Sequence, residues 1–190
     1  MKFGDREAIL FGCAALIAIF WGRYAVADIE TKSSDSFFKY DQIFKKYSKI
    51  YRVPWRWIKA VAWNESSIGT NSSVMRGLKN PSDIEGSKSF DGKSWGIMQV
   101  TLTTARELRP GTTVQDLNNA DISISLGAQY LGKMMARFEG DREKVIRSYN
   151  GGPGFEKTVL GRTSTPLYYA KFLSHLNQIM ERQPGNQEEI

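Results

Sequence analysis

The chain is poor in the residues that most often carry chemistry. A single cysteine, Cys13, excludes a disulfide framework, a CxxC redox site and a thiolate zinc site. A single histidine, His175, excludes a multi-histidine metal site and argues against a Ser-His or Cys-His catalytic pair. No cluster of His, Cys and carboxylates has ligand spacing, so neither a metal nor another cofactor is expected. Acid–base chemistry must rest on carboxylates, tyrosine or lysine. Basic residues form no run longer than Lys45-Lys46, and no zinc-finger spacing or RNA-binding signature occurs. The net charge of +6 therefore serves solubility or a polyanionic partner other than nucleic acid.

Nor is there an apolar run long enough to cross a bilayer comfortably. Ala8 to Gly22 is uncharged and apolar but only fifteen residues long, against the roughly 20 that a spanning helix needs. Lys2 and Arg6 precede it, and Ala25-Val26-Ala27 supplies a small-x-small cleavage pattern. Residues 1–27 are read as an export signal or, if Arg23 snorkels and no cut follows, as a retained membrane anchor. Residues 28–36 form a polar linker, 37–182 a single catalytic-domain-sized core, and 183–190 a flexible tail.

What is present is helical periodicity. Phe38, Ile43, Phe44 and Tyr47 mark one amphipathic helix. Pro54 suits the start of the next, in which Ile58, Val61, Ala62 and Glu65 share a face. Further helices are predicted over 101–108, 122–138, 141–148 and 168–180. Residues 69–93 are rich in Ser, Gly, Asn and Asp, which predicts a long irregular loop or small hairpin. The fold is expected to be mainly α.

Glu65 stands on the face of its helix that should be buried, where lost hydration favours the neutral acid. Such a group donates a proton to a leaving oxygen. Around it the chain carries Ala60-Val61-Ala62-Trp63-Asn64-Glu65-Ser66, then Ser94-Trp95-Gly96-Ile97-Met98-Gln99-Val100. Leu126-Gly127-Ala128-Gln129-Tyr130-Leu131 and Ser148-Tyr149-Asn150-Gly151-Gly152-Pro153-Gly154 follow, with Tyr168 in a closing helix. This order resembles the lytic transglycosylases of the family 23 type, relatives of goose-type lysozyme, over about residues 40–175.

The resemblance implies a lysozyme-like α+β fold and cleavage of the MurNAc-GlcNAc bond in peptidoglycan glycan strands. It implies Glu65 as the sole acid/base and Ser66 as the residue that helps orient it. Gly96, Ile97, Met98 and Gln99 match the Gly-Leu-Met-Gln block that lines the sugar groove. Tyr149 and Asn150 match a pair beside the glutamate and the N-acetyl group, and Tyr168 a late tyrosine near the acid. The family's Glu-Thr-x-x-Tyr block reads Ser164-Thr165-Pro166-Leu167-Tyr168 here, without the carboxylate. A single acid suffices when the substrate's acetamido group attacks the anomeric carbon, giving 1,6-anhydroMurNAc ends. Asp83, Glu85 and Asp91 in the long loop keep open an inverting hydrolase, in which a second carboxylate activates water. A non-catalytic wall-binding subunit of an envelope-spanning secretion or phage machine is the reading from another class. Trp55, Trp57 and Trp63 are read as core, with Trp63 or Trp95 available to stack on a sugar, and His175 as structural. The expected location is the periplasm, or the inner membrane facing it.

Overall fold

The computed structural model describes residues 36–70 and 93–190. The chain divides into two units, residues 1–39 and 40–190, and of the first only residues 36–39 are described. The leader expected at 1–27, all but the last residue of the linker, and residues 71–92 of the long loop lie outside the described residues. Among the described residues no helix is long and apolar enough to cross a membrane.

The second unit holds seven described α-helices: α1 (Asp41–Tyr51), α2 (Trp55–Ser66), α3 (Leu102–Leu108), α4 (Val114–Asn118), α5 (Ala120–Arg137), α6 (Arg142–Gly151) and α7 (Val159–Arg182). The two-residue strands β1 (Ser94–Trp95) and β2 (Val100–Thr101) pair antiparallel, Ser94 opposite Thr101 and Trp95 opposite Val100. The molecule is thus mainly α, as periodicity predicts. The small hairpin spans 94–101, just after the segment where one was anticipated.

Each helix carries its own start and stop chemistry. The Asn119 side chain accepts from the Asp121 and Ile122 amides at the head of α5, and Asp141 and Thr158 cap α6 and α7. Thr113 and Asp116 form a capping box that licenses α4, a helix of five residues. Periodicity does not reveal so short a helix, and it was not anticipated. Arg52 ends α1 in the left-handed region, and Pro54 then sets the entry to α2.

The last helix starts at Val159, nine residues before the predicted Tyr168, and continues through Pro166. Proline removes one helical N–H, which orphans the carbonyl of Arg162. Arg162 is an exposed residue, and the buried Thr165 hydroxyl bonds the Gly161 carbonyl just ahead of the proline.

Helix α2 is the axis of the domain, packed against α1, α5 and α7. Trp55 through Ala62 are all buried, including two cations. Burying a cation costs several kcal/mol unless acceptors surround it, and here they do. Lys59, 0% exposed, donates to Asp41 (2.7 Å) and to Gln183 (2.7 Å), and Gln183 donates in turn to Asp41 (2.6 Å). Arg56 donates to Glu189 (2.6 Å) and to the carbonyls of Asn186 (2.7 Å) and Gln183 (3.1 Å). The Trp55 amide adds a bond to the Glu189 carbonyl (3.1 Å). Residues 183–190 lack apolar anchors, which is why composition reads them as a loose tail. In the structure their anchor is polar: they supply acceptors to both terminal nitrogens of the buried Arg56 guanidinium.

Burial lowers the Lys59 ammonium from 10.5 to about 8, although Asp41 opposes the shift. Between these two values the unfolded chain holds a proton that the folded chain has released, so Lys59's contribution to stability increases with pH across that window. Urea unfolding of the native chain and of Lys59→Met checks this. Their stability difference is expected to grow in favour of the native chain from pH 8 to about 10.5. A flat or shrinking difference would contradict the shift.

Candidate active site

Glu65 lies in the last turn of α2, half-buried. Beyond Ser66 the backbone turns sharply through three left-handed residues, Ser67, Ile68 and Gly69. The amides of Ser67 and Ile68 cap the Trp63 and Ala62 carbonyls at 3.0 and 3.2 Å. This closure holds the end of α2, and with it Glu65, in one place.

The hairpin connection Gly96-Ile97-Met98-Gln99 packs directly against that end. Ser66 Oγ donates to the Ile97 carbonyl (2.7 Å) and accepts from the Gly69 amide (2.9 Å). The Met98 amide donates to Ser123 Oγ on α5 (3.2 Å), and Tyr149 Oη on α6 donates to the Met98 carbonyl (2.7 Å). Gln99, itself at positive φ, turns its side-chain amide back onto the Gly96 carbonyl (2.8 Å). Four residues of loop therefore join α2, α5 and α6 beside the carboxyl group.

Two glycines permit this approach. Gly96 has φ +77°, and a Cβ there would stand 2.0 Å from the Leu117 carbonyl oxygen and 2.5 Å from Ser123 Oγ. A Cβ on Gly127 would meet the Met98 side chain at 2.7 Å. Ile97 and Met98, expected to line a sugar groove, are 2% and 0% exposed. Their side chains are core, and they seat the loop rather than face outward.

Tyr168 approaches from α7, and its hydroxyl donates to Glu65 Oε1 at 2.5 Å. Burial first, and the Glu65 charge second, push the phenols of Tyr149 and Tyr168 well above the ordinary tyrosine range. Both therefore remain O–H donors at any physiological pH. Tyr130 packs edge-on against Tyr149 with centroids 5.6 Å apart. Asn150 follows Tyr149 on the exposed end of α6, where Gly152 at φ +76° ends the helix.

The structure thus brings Tyr168 into direct contact with Glu65, and Ser66 and Tyr149 into direct contact with the Gly96 to Gln99 loop. Asp83, Glu85 and Asp91 lie outside the described residues. Among the described residues no group of three His, Cys, Asp or Glu is placed to hold a metal. Trp63 is occupied by His175, whose ring stacks on it at 4.6 Å and 2°.

Sequence reasoning missed two participants. Asn64, beside Glu65, donates to the Tyr168 carbonyl (3.0 Å) and its Oδ1 meets His175 Nδ1 (2.7 Å). Ser123 receives the Met98 amide. Position next to Glu65 was the only available signal for Asn64, and Ser123 offered none.

Chemically, the arrangement is one carboxyl group, held by a phenol that stays protonated, at the end of a helix locked by a pinned loop. It can give and take a proton at a fixed point. A family model described as Transglycosylase SLT domain matches residues 42–171, more than half of the chain. No curated protein matches the chain.

Proposed function

We infer the detailed function from one premise: the chain belongs to the transglycosylase SLT domain family. It is an enzyme of the peptidoglycan lytic transglycosylase type, with a lysozyme-like, mainly α fold. The reading beyond that is a single-acid mechanism of the family 23 type at the MurNAc-GlcNAc β-1,4 bond, with Glu65 as acid and then base. The observation that supports it most is the Glu65 carboxyl group clasped by the hydroxyl of the half-buried Tyr168 at 2.5 Å.

In this scheme Glu65 protonates the glycosidic oxygen as the bond to the anomeric carbon breaks. The substrate's acetamido oxygen attacks that carbon and closes an oxazolinium ring. The Glu65 carboxylate then takes the proton from the sugar's 6-hydroxyl while that oxygen displaces the acetamido group. A 1,6-anhydro ring results, Glu65 regains its proton, and no water is consumed. Tyr168 holds the carboxyl group in one orientation through both proton transfers. Tyr149 supports the adjoining loop, and Asn150, exposed at the end of α6, orients the acetamido group. Ser66, Gly96, Ile97, Met98 and Gln99 keep the helix end and loop in register. Residues 1–27 are proposed to carry the enzyme to the periplasm, where its polymer lies.

Mass spectrometry of digested sacculi in H2(18)O tests the scheme. Anhydro ends without label are the expected product. Labelled reducing MurNAc ends would overturn it and turn attention to Asp83, Glu85 and Asp91 as water-activating bases.

A further inference from the structure

The contact between Glu65 and Tyr168 joins two helices, and a hydroxyl reaches a carboxyl group at 2.5 Å only if α7 stands at one height against α2. A slip of about 1 Å at such a contact is enough to cost a large factor in rate. Hydrophobic packing alone sets height loosely, because apolar contacts have no direction. A directional device is needed, and α2 carries one in the residue before the acid.

Asn64 Nδ2 donates to the backbone carbonyl of Tyr168 itself, at 3.0 Å. That carbonyl only accepts, so the amide group must present its nitrogen there and its oxygen to His175. His175 Nδ1, 2.7 Å from Asn64 Oδ1, must then carry the hydrogen. His175 lies seven residues beyond Tyr168, two turns along the same face of α7. Its ring lies flat on Trp63, the residue before Asn64. Three consecutive residues of α2 thus grip α7: Trp63 by stacking, Asn64 by two polar bonds, Glu65 by the tyrosine. The histidine is half-buried, and burial together with the neighbouring Lys171 keeps it below its usual range, in keeping with a neutral ring.

We propose that Asn64 and His175 are positioning residues for the acid, holding the Tyr168 backbone at the height that puts its hydroxyl on Glu65. The inference rests on the reading of Glu65 as the acid and of Tyr168 as the residue that holds it. Asn64 measures the position of the very residue whose side chain touches the carboxyl group, and His175 fixes which way the Asn64 amide points.

A double-mutant cycle in the full chain tests this, with turnover of sacculi and thermal unfolding measured on each variant. Asn64→Leu and the near-isosteric Asn64→Asp are each expected to lower kcat about 10- to 100-fold with KM nearly unchanged. In a Tyr168→Phe background, the same substitutions should cost almost nothing further, because the contact they position is already gone. His175→Ala should lower kcat, and His175→Gln, which restores an N–H donor toward Asn64 Oδ1, should recover much of it. Additive losses, or a fall in melting temperature with kcat intact, would overturn the proposal and leave Asn64 as helix–helix adhesive. If Tyr168→Phe itself leaves kcat unchanged, the underlying reading of Tyr168 as the group that holds the acid fails as well, whereas activity retained in Glu65→Gln would sink the reading of the acid itself, so the failures are told apart.

Discussion

Glu65→Gln is expected to leave a folded protein that releases no muropeptides. The amide is nearly isosteric with the carboxyl group, and its oxygen can still accept from Tyr168 Oη where Glu65 Oε1 accepts now, at 2.5 Å. The end of α2 is closed by backbone bonds and by Ser66, none of which involves the Glu65 side chain. What the amide lacks is a proton it can give to the glycosidic oxygen and the basicity to take one from the 6-hydroxyl. Both steps of the proposed scheme fail together, so the loss should exceed the roughly 100- to 10,000-fold typical of a single proton-transfer group. Chromatography of digested sacculi reads the activity, and circular dichroism with thermal unfolding reads the fold. More than a few per cent of native activity in a normally folded variant would place the acid elsewhere.

The residue at the centre of that prediction was legible because its helix was. Ile58, Val61, Ala62 and Glu65 repeat at the helical period, and the structure buries the first three while leaving Glu65 half-exposed at the end. Order of motifs added Tyr149 and Tyr168, which periodicity could not single out. Three things were not legible, each for a physical reason. The first nine residues of α7 were not predicted, because proline disfavours a helix interior, yet Pro166 is tolerated where the carbonyl it orphans belongs to an exposed residue. Residues 183–190 read as a loose tail because their anchor, the Arg56 guanidinium, is a buried cation 127 or more positions away in sequence. The Asn64–His175 pair spans 111 residues, and a single polar bond between distant helices leaves no period in either. Sequence pattern carries information about faces; it says little about which polar atoms meet between them.

The loop that pins the site should be as sensitive as the acid to one methyl group. Gly96→Ala places a Cβ 2.0 Å from the Leu117 carbonyl oxygen, which is backbone in α4 and has little freedom to retreat. The same residue has φ +77°, where a side chain costs about 1–2 kcal/mol before any clash. Overpacking adds roughly 1–3 kcal/mol, so a total destabilisation of about 2–5 kcal/mol is expected. The alternative to that strain is for the turn to flip, which would pull the Ile97 carbonyl from Ser66 and the Met98 carbonyl from Tyr149. Either way the end of α2 loses its support, and activity should fall by about 100-fold or more, the scale set by misplacing a reacting group by about 1 Å. Gly111→Ala separates the two causes, because Gly111 has φ +80° but nothing within 4 Å of its would-be Cβ. It should show only the backbone cost, about 1–2 kcal/mol in urea unfolding, with near-native release of muropeptides. Equal stabilities and equal activities for the two variants would mean that the close approach of this loop to α4 and α5 does not hold the acid in place.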